Sequence, residues 1–236
     1  MPGENVQALA WDSNWLGFPV TRFVVEGADD MAIAVAQCRA EGVRLLYLVL
    51  DPTDTVAAAA ATAAGALLAD VKLSYEKQLS APKMPFVPPV GTVLALATAT
   101  TPQLEALALQ SGEYSRFRRD IRIGTQVFEE LYAHWLGKAL SNGRVWAASK
   151  ANETVGLLAF GVRGGKAGIE LLAVAPTARR QHIGQCLVQL AEQEAQHQGY
   201  TMLQVVTQGA NRPAWHFYER CGFQVRQTEH TYHLWL

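Results

Sequence analysis

Residues able to do chemistry gather first between Gly168 and Leu187 of this chain. An apolar run, Ile169 to Ala175, is cut off at Pro176. It crosses the polar and basic segment Thr177-Ala178-Arg179-Arg180-Gln181-His182 and enters a stretch with apolar residues at Ile183, Leu187, Leu190 and Ala191. That spacing predicts a strand, a turn and a helix N-terminus. The first N–H groups of a helix lack intrahelical partners and sit at the positive end of its dipole. With Arg179 and Arg180 alongside, the turn would take an anion such as a pyrophosphate. A second group, Ser115-Arg116-Phe117-Arg118-Arg119, interleaves cations with an aromatic ring. Arginine pairs with diphosphate and an aromatic can stack on a base, so the group would suit a sugar nucleotide; a solvated charged face is an equal alternative on these residues alone. Glu170, His182 and His216 stand near enough to be considered as proton acceptors, His216 because an imidazole titrates near neutrality. None of the three is singled out as a base.

The elements that must position these groups alternate between strand and helix, which makes the chain a mixed α/β protein. In the first part, Phe18 to Val25 and Leu45 to Leu50 are expected as strands. Asp29 to Glu41 and Thr53 to Leu68 are expected as helices, and Asp70 to Gln78 as a further strand. Pro82, Pro85, Pro88 and Pro89 crowd the segment from Ser80 to Gly91. Proline interrupts helices and central strands, so the division falls there, giving 1–90 as a smaller α/β domain, substrate-side or structural, and 91–236 as the larger one. The second part opens with a strand, Val93 to Ala97. Thr101-Pro102 then starts a short helix, a polar and basic loop follows, and Thr125 to Leu140 forms a long amphipathic helix. Val145 to Ser149, Thr154 to Arg163 and Ile169 to Ala175 follow as strands. Beyond the helix after the turn come a strand from Leu203 to Thr207, a last helix begun by Asn211 and Pro213 and stopped by Gly222, and two strands, Phe223 to Val225 and Thr231 to Leu236.

Composition narrows the classes. Half of the 236 residues are hydrophobic and the formal net charge is −1. A packed globular protein fits, whereas a basic coat for nucleic acid or a polyanionic tail does not. Cys38, Cys186 and Cys221 are odd in number and widely spaced, with no metal-ligand spacing, so neither a disulfide framework nor a metal site is expected. Glu4 and Asp12 stand where a secretory signal would be basic. The alanine-rich tract from Val56 to Ala69 is shorter than the ~20 residues a bilayer-spanning helix needs. The expectation is a soluble, cytoplasmic protein, with no nucleic acid and no membrane insertion.

A further stretch, Val205 to Phe223, has the form strand, Asn211, x-x-Ala214, x-x-x-Tyr218-Glu219-x-x-Gly222-Phe223. Together with Arg179-x-x-His182-x-Gly184 and the element order of the second part, it resembles the GNAT N-acetyltransferases. The resemblance implies the GNAT acyl-CoA N-acyltransferase fold, extended by a smaller N-terminal α/β domain, and acetyl-CoA as co-substrate. Backbone groups of Leu172, Ala173 and Val174 would pair with the pantetheine arm. Arg179, Arg180, Gln181, His182, Ile183, Gly184 and Gln185 would hold the pyrophosphate. Asn211 would contact the cofactor or simply cap its helix, and Tyr218 would stand beside the thioester sulfur as general acid, the alternative being a tyrosine of the core. His182 occupies the place where the family's loop usually has its first glycine.

A finer resemblance lies in Leu9 to Gly17, in Ser115-Arg116-Phe117, in the helix carrying Phe128, Leu131, Tyr132 and Trp135, in Val206-Thr207-Gln208, and in Tyr232 to Leu236. These segments are similar to a bacterial branch of the family that acetylates the sugar amine of TDP-4-amino-4,6-dideoxy-D-galactose for surface polysaccharide synthesis. The branch implies a nucleotide-linked amino sugar as partner, with Arg116 and Phe117 on the substrate side and a homodimer as an open assembly state. Rival readings are a GNAT enzyme acting on a protein N-terminus, lysine or small amine, and a non-catalytic acyl-CoA-binding module.

Overall fold

The computed structural model describes residues 6–79 and 87–236. Its centre is one ten-stranded sheet in the order β1-β2-β3-β10-β4-β9-β8-β7-β6-β5. The first part supplies β1 (Val6–Ala8), α1 (Ala10–Leu16), β2 (Val20–Val24), α2 (Ala28–Ala40), β3 (Leu45–Leu50), α3 (Thr55–Ala63) and β4 (Leu67–Gln78). Every residue of β3 is buried. That follows from its unbroken apolar run, which has no polar face to offer solvent. α3 is shorter than the alanine-rich tract led one to expect. Gly65 takes φ 86°, a conformation open to glycine, and the chain turns there so that Leu67 and Leu68 begin β4.

The second part supplies β5 (Thr92–Leu96), α4 (Pro102–Ser111), α5 (Arg116–Arg119), α6 (Thr125–Ser141), β6 (Val145–Lys150), β7 (Glu153–Arg163), β8 (Lys166–Val174), α7 (Ile183–His197), β9 (Met202–Gln208), α8 (Arg212–Arg220) and β10 (Gln224–Trp235). Thr101 caps α4 as expected, its hydroxyl accepting from the Leu104 N–H at 3.3 Å. The loop expected around residues 115–119 is the single turn α5. The two expected closing strands are one strand, β10, whose register shifts at Val225/Gln227 and at Thr231/Tyr232 absorb its polar middle.

Pro82 and Pro85 lie outside the described residues, and the sheet runs through the division expected near residue 90. β10 enters the first part and pairs antiparallel with β3 on one side and β4 on the other. The two parts therefore share a single sheet and contribute to each other's cores, Leu73 and Tyr75 of β4 entering the core of the second part and Tyr232 and Leu234 of β10 that of the first. One core gathers Phe23, Leu46 and Leu48 under α2 and α3. A second lies under α7 and α8, and a third under α4 and α6 on the opposite face. No helix among the described residues is long and apolar enough to cross a membrane.

Candidate active site

An extra residue in β8 opens the site. β8 pairs with β7 from end to end, but Ala159 faces Leu171 while Phe160 faces Ile169, which leaves Glu170 as a bulge. The insertion reverses the faces of the strand. Ala167 and Ile169 point into the core under α7, whereas Leu171 and Ala173 point into the core under α6. On its other edge β8 runs parallel to β9 only at Ala167↔Leu203, Gly168↔Gln204 and Ile169↔Val205. Pairing ends where the bulge begins, and the diverging strands leave a cleft of about 1700 Å³. Leu172, Ala173 and Val174 line it, as do the N-terminus of α7 and Tyr218, with Trp11, Asp70 and Arg116 at its other end.

The start of α7 carries no side-chain cap, and its N-cap residue, His182, adopts the left-handed conformation with φ 61° and ψ 4°. The first intrahelical bond runs from the Cys186 N–H to the His182 carbonyl at 3.0 Å. Among the described residues the preceding N–H groups of Ile183, Gly184 and Gln185 have no hydrogen-bond partner, which suits them to an anion in the cleft. Glycine is favoured at such a φ because a Cβ costs roughly 1–2 kcal/mol there. His182 bears that cost, its Nδ1 lying 2.6 Å from Gln185 Oε1. A Cβ on Gly184 would lie 3.1 Å from the Phe217 ring, so this glycine is what lets α7 approach α8. Arg179 folds back, its Nε donating to the Val174 carbonyl at 3.2 Å. Arg180 has no ion-pair partner among the described residues and lines the cleft. Gln181 was expected with these residues but does not line the cleft; its amide engages Lys150 and the Thr177 carbonyl. Ile183 is buried, so only its backbone is available.

Tyr218 is 6% exposed, packed among Tyr75, Phe217 and Phe223, yet it borders the cleft. Burial raises its pKa well above that of an ordinary phenol, with the nearby Cys221 adding to the effect. Tyr218 therefore stays protonated at neutral pH, the state from which a proton can be donated. Asn211 caps α8, its Oδ1 accepting from the Ala214 N–H at 3.3 Å, and it too borders the cleft. Of the three groups weighed as proton acceptors, Glu170 is ion-paired with Arg163 at 2.9 Å. His216 lies exposed beside Glu219, and His182 is engaged with Gln185.

At the other end, Arg116 and Phe117 hold unequal places. The Arg116 guanidinium lies over the rings of Tyr47 and Phe117, 4.4 and 4.7 Å from their centroids. Its Nη2 approaches Asp12 at 3.5 Å, and its buried Nε has no partner. Phe117 borders the cleft but is a core residue, packed edge-on against Trp135. The exposed aromatic surface here is Trp11, stacked on Trp15 and Trp135 beside His134. Its place is fixed by α1, a short helix with no side-chain N-cap. Behind this wall Asp120 is buried and accepts from His233 Nδ1 and Trp235 Nε1, both at 2.8 Å, and from Arg122. Burial alone would raise its pKa, but these hydrogen bonds outweigh it and hold the carboxyl below its usual range. Burial lowers the pKa of His233, against the opposing pull of its hydrogen bond to Asp120.

Two further residues of this end carry no local sequence signal. Asp70 of β4 is 9% exposed, borders the cleft, and has one carboxylate oxygen buried without a partner. Burial raises its pKa to about 6, against the opposing pull of Arg116, Arg119 and Lys72. Tyr132 of α6, whose pKa burial pushes up to about 12, interacts with Ser115 and Asp70. The one hint available beforehand was a carboxylate at a strand position between Ala69 and Val71.

A strand pair forced apart by a bulge, with an uncapped helix start facing the gap, sets an open strand edge beside an anion site. Residues 109–223 match the acetyltransferase (GNAT) family, and solved structures of that family share the fold. The family match falls within the second part of the chain, and the solved structures, all under 25% identical, show a shared fold. A GCN5-related N-acetyltransferase from Sphaerobacter thermophilus is 14% identical, with a TM-score of 0.61 over 97% of this chain and 75% of that one. Another from Kribbella flavida is 15% identical, with a TM-score of 0.59 over 97% and 86%. A tandem GNAT protein from the clavulanic acid biosynthesis pathway is 17% identical, with a TM-score of 0.58 over 91% and 74%. The likeness of fold thus takes in the first part of the chain as well. No curated protein matches.

Proposed function

We propose that this chain is an N-acetyltransferase that moves an acetyl group from acetyl-CoA to the amine of a nucleotide-linked amino sugar, TDP-4-amino-4,6-dideoxy-D-galactose or a close relative, as a TDP-fucosamine acetyltransferase does. The observation that carries the reading is the single cleft joining the free start of α7, Tyr218 and the Trp11–Arg116 wall. The open N–H groups of Ile183, Gly184 and Gln185, with Arg180, suit the pyrophosphate of acetyl-CoA. The edge of β8 freed by the bulge suits the amides of its pantetheine arm, and backbone N–H groups there would face the oxyanion, where one donor contributes ~3–4 kcal/mol.

Acyl transfer needs an uncharged amine, alignment and a proton for the departing thiolate. Tyr218, held protonated by burial, supplies that proton. For the acceptor, Trp11, 42% exposed and bordering the cleft, offers ring surface against which a base can pack, and Arg116, which also borders the cleft, offers a cation for the diphosphate. An acceptor bearing a nucleoside diphosphate matches both; a lysine or polyamine matches neither. The test is thiol release from acetyl-CoA against TDP- and UDP-linked amino sugars, lysine peptides and polyamines. Turnover confined to the peptides or polyamines would refute the acceptor, and acetyl-CoA binding with no thiol release would favour a non-catalytic module.

A further inference from the structure

We propose that Asp70 is the base that takes the proton from the acceptor's ammonium. The inference rests on the acetyl-transfer reading above and supplies the role that none of Glu170, His182 and His216 fills. Strand register fixes where Asp70 stands. β4 pairs with β9 from Gln78↔Met202 to Lys72↔Gln208, where β9 ends, and Asp70 lies two residues further along. Leu73 and Tyr75 point into the core under α7 and α8. Strand alternation therefore sends Asp70 to the opposite face, the face of α5 and α6, where the acceptor end of the cleft is formed.

The charged and titratable groups around it are Arg116 and Arg119 of α5, Lys72 on its own strand, and Tyr132 of α6; Thr231 lies opposite on β10. Among the described residues the Asp70 side chain forms no ion pair; its carboxylate interacts with the Val71 backbone N–H, its Oδ1 is buried without a partner, Lys72 pairs with Glu229 at 2.8 Å and Arg116 approaches Asp12. A buried carboxylate oxygen bordering a cleft without a partner is costly, and a cationic amine is the group that would satisfy it. The raised pKa places the carboxyl where it is ionised at neutral pH and still basic enough to accept a proton.

The step balances. Asp70 takes one proton from the ammonium, leaving a neutral amine whose lone pair forms the C–N bond at the thioester carbonyl carbon. The C–S bond then breaks, and the thiolate receives the Tyr218 proton. The second nitrogen proton returns to the Tyr218 oxygen, and Asp70 gives its own proton to water in the cleft. Amide, free thiol and one released proton are the products.

The test measures thiol release from acetyl-CoA with TDP-4-amino-4,6-dideoxy-D-galactose across pH 5.5–9 for the wild type, Asp70→Asn and Asp70→Glu, together with acetyl-CoA affinity and melting curves. General-base removal is expected to lower kcat of Asp70→Asn by roughly 10²–10⁴-fold. KM for the sugar should rise with loss of the contact to its ammonium while acetyl-CoA Kd changes little, the acidic limb of the wild-type profile should disappear, and Asp70→Glu should recover part of the rate. At pH 7.5 Asp70→Asn should melt higher than the wild type, since it removes an unpaired buried charge. An unchanged kcat, or a rise in KM alone, would overturn the assignment. Wild-type inactivity on this sugar counts against the acceptor reading alone. The melting comparison needs no acceptor, and a lower melting temperature for Asp70→Asn would make the residue structural and overturn the inference.

Discussion

Replacing Asp70 by Asn should stabilise the protein in a way that depends on pH. The folded-state pKa of Asp70 is about 6 against an ordinary 3.8. At ~1.4 kcal/mol per unit, the gap corresponds to a folding cost of about 3 kcal/mol for the ionised side chain. The sign follows from the direction of the shift. Below the unfolded pKa both states hold the proton and no cost arises. As pH rises the unfolded state ionises first, so stability is lost up to about pH 6, and the whole cost is present above it. Asn keeps the shape without titrating, but its amide meets Arg116 and Arg119, so the gain at pH 7.5 should be about 1–3 kcal/mol. Urea unfolding of both proteins at pH 4.5, 6.0 and 7.5 checks this, with the stability difference growing at each step. A difference that is independent of pH, or a variant less stable at pH 7.5, would refute the account of Asp70 as an uncompensated buried charge.

Other substitutions read other parts of the site. Tyr218→Phe should cut turnover by roughly 10²-fold or more while acetyl-CoA affinity and melting temperature barely move, as titration calorimetry and steady-state rates will show. His182→Gly should raise stability by about 0.5–1 kcal/mol in urea, because relief of the left-handed strain exceeds the entropy that glycine adds to the unfolded chain. Asp120→Ala should cost about 3–5 kcal/mol, since it leaves the Trp235 and His233 N–H groups buried without an acceptor. Trp11→Ala should raise KM for a nucleotide sugar several-fold with kcat nearly unchanged; an unchanged KM would remove Trp11 from the acceptor site.

What could be read from the sequence is what local pattern decides. The six apolar residues of β3 stand alone as a buried strand, and the spacing Ile183, Leu187, Leu190, Ala191 fixes α7 and the turn before it. The bulge at Glu170 is different in kind. It exists only in the pairing of β8 with β7, and nothing in Ile169-Glu170-Leu171 announces it. The same holds for β10, whose place between β3 and β4 is a choice among distant partners. Phe117 shows the limit for side chains. Beside three arginines it has the look of a surface aromatic, and only the packing of α5 against α6 puts it in the core. Asp70 owes its character to burial and chiefly to arginines of another element, and α1 lacks the capping residues that mark a helix start.

The position of β10 also bears on how the protein is made. A nascent chain emerging from the ribosome exposes β3 and β4 long before the strand that belongs between them exists, and Trp235, near the end of that strand, anchors Asp120 more than a hundred residues earlier. Until translation reaches it, two apolar edges wait open. Closure of the sheet must therefore wait for β10 and be slow, since it joins residues far apart in sequence.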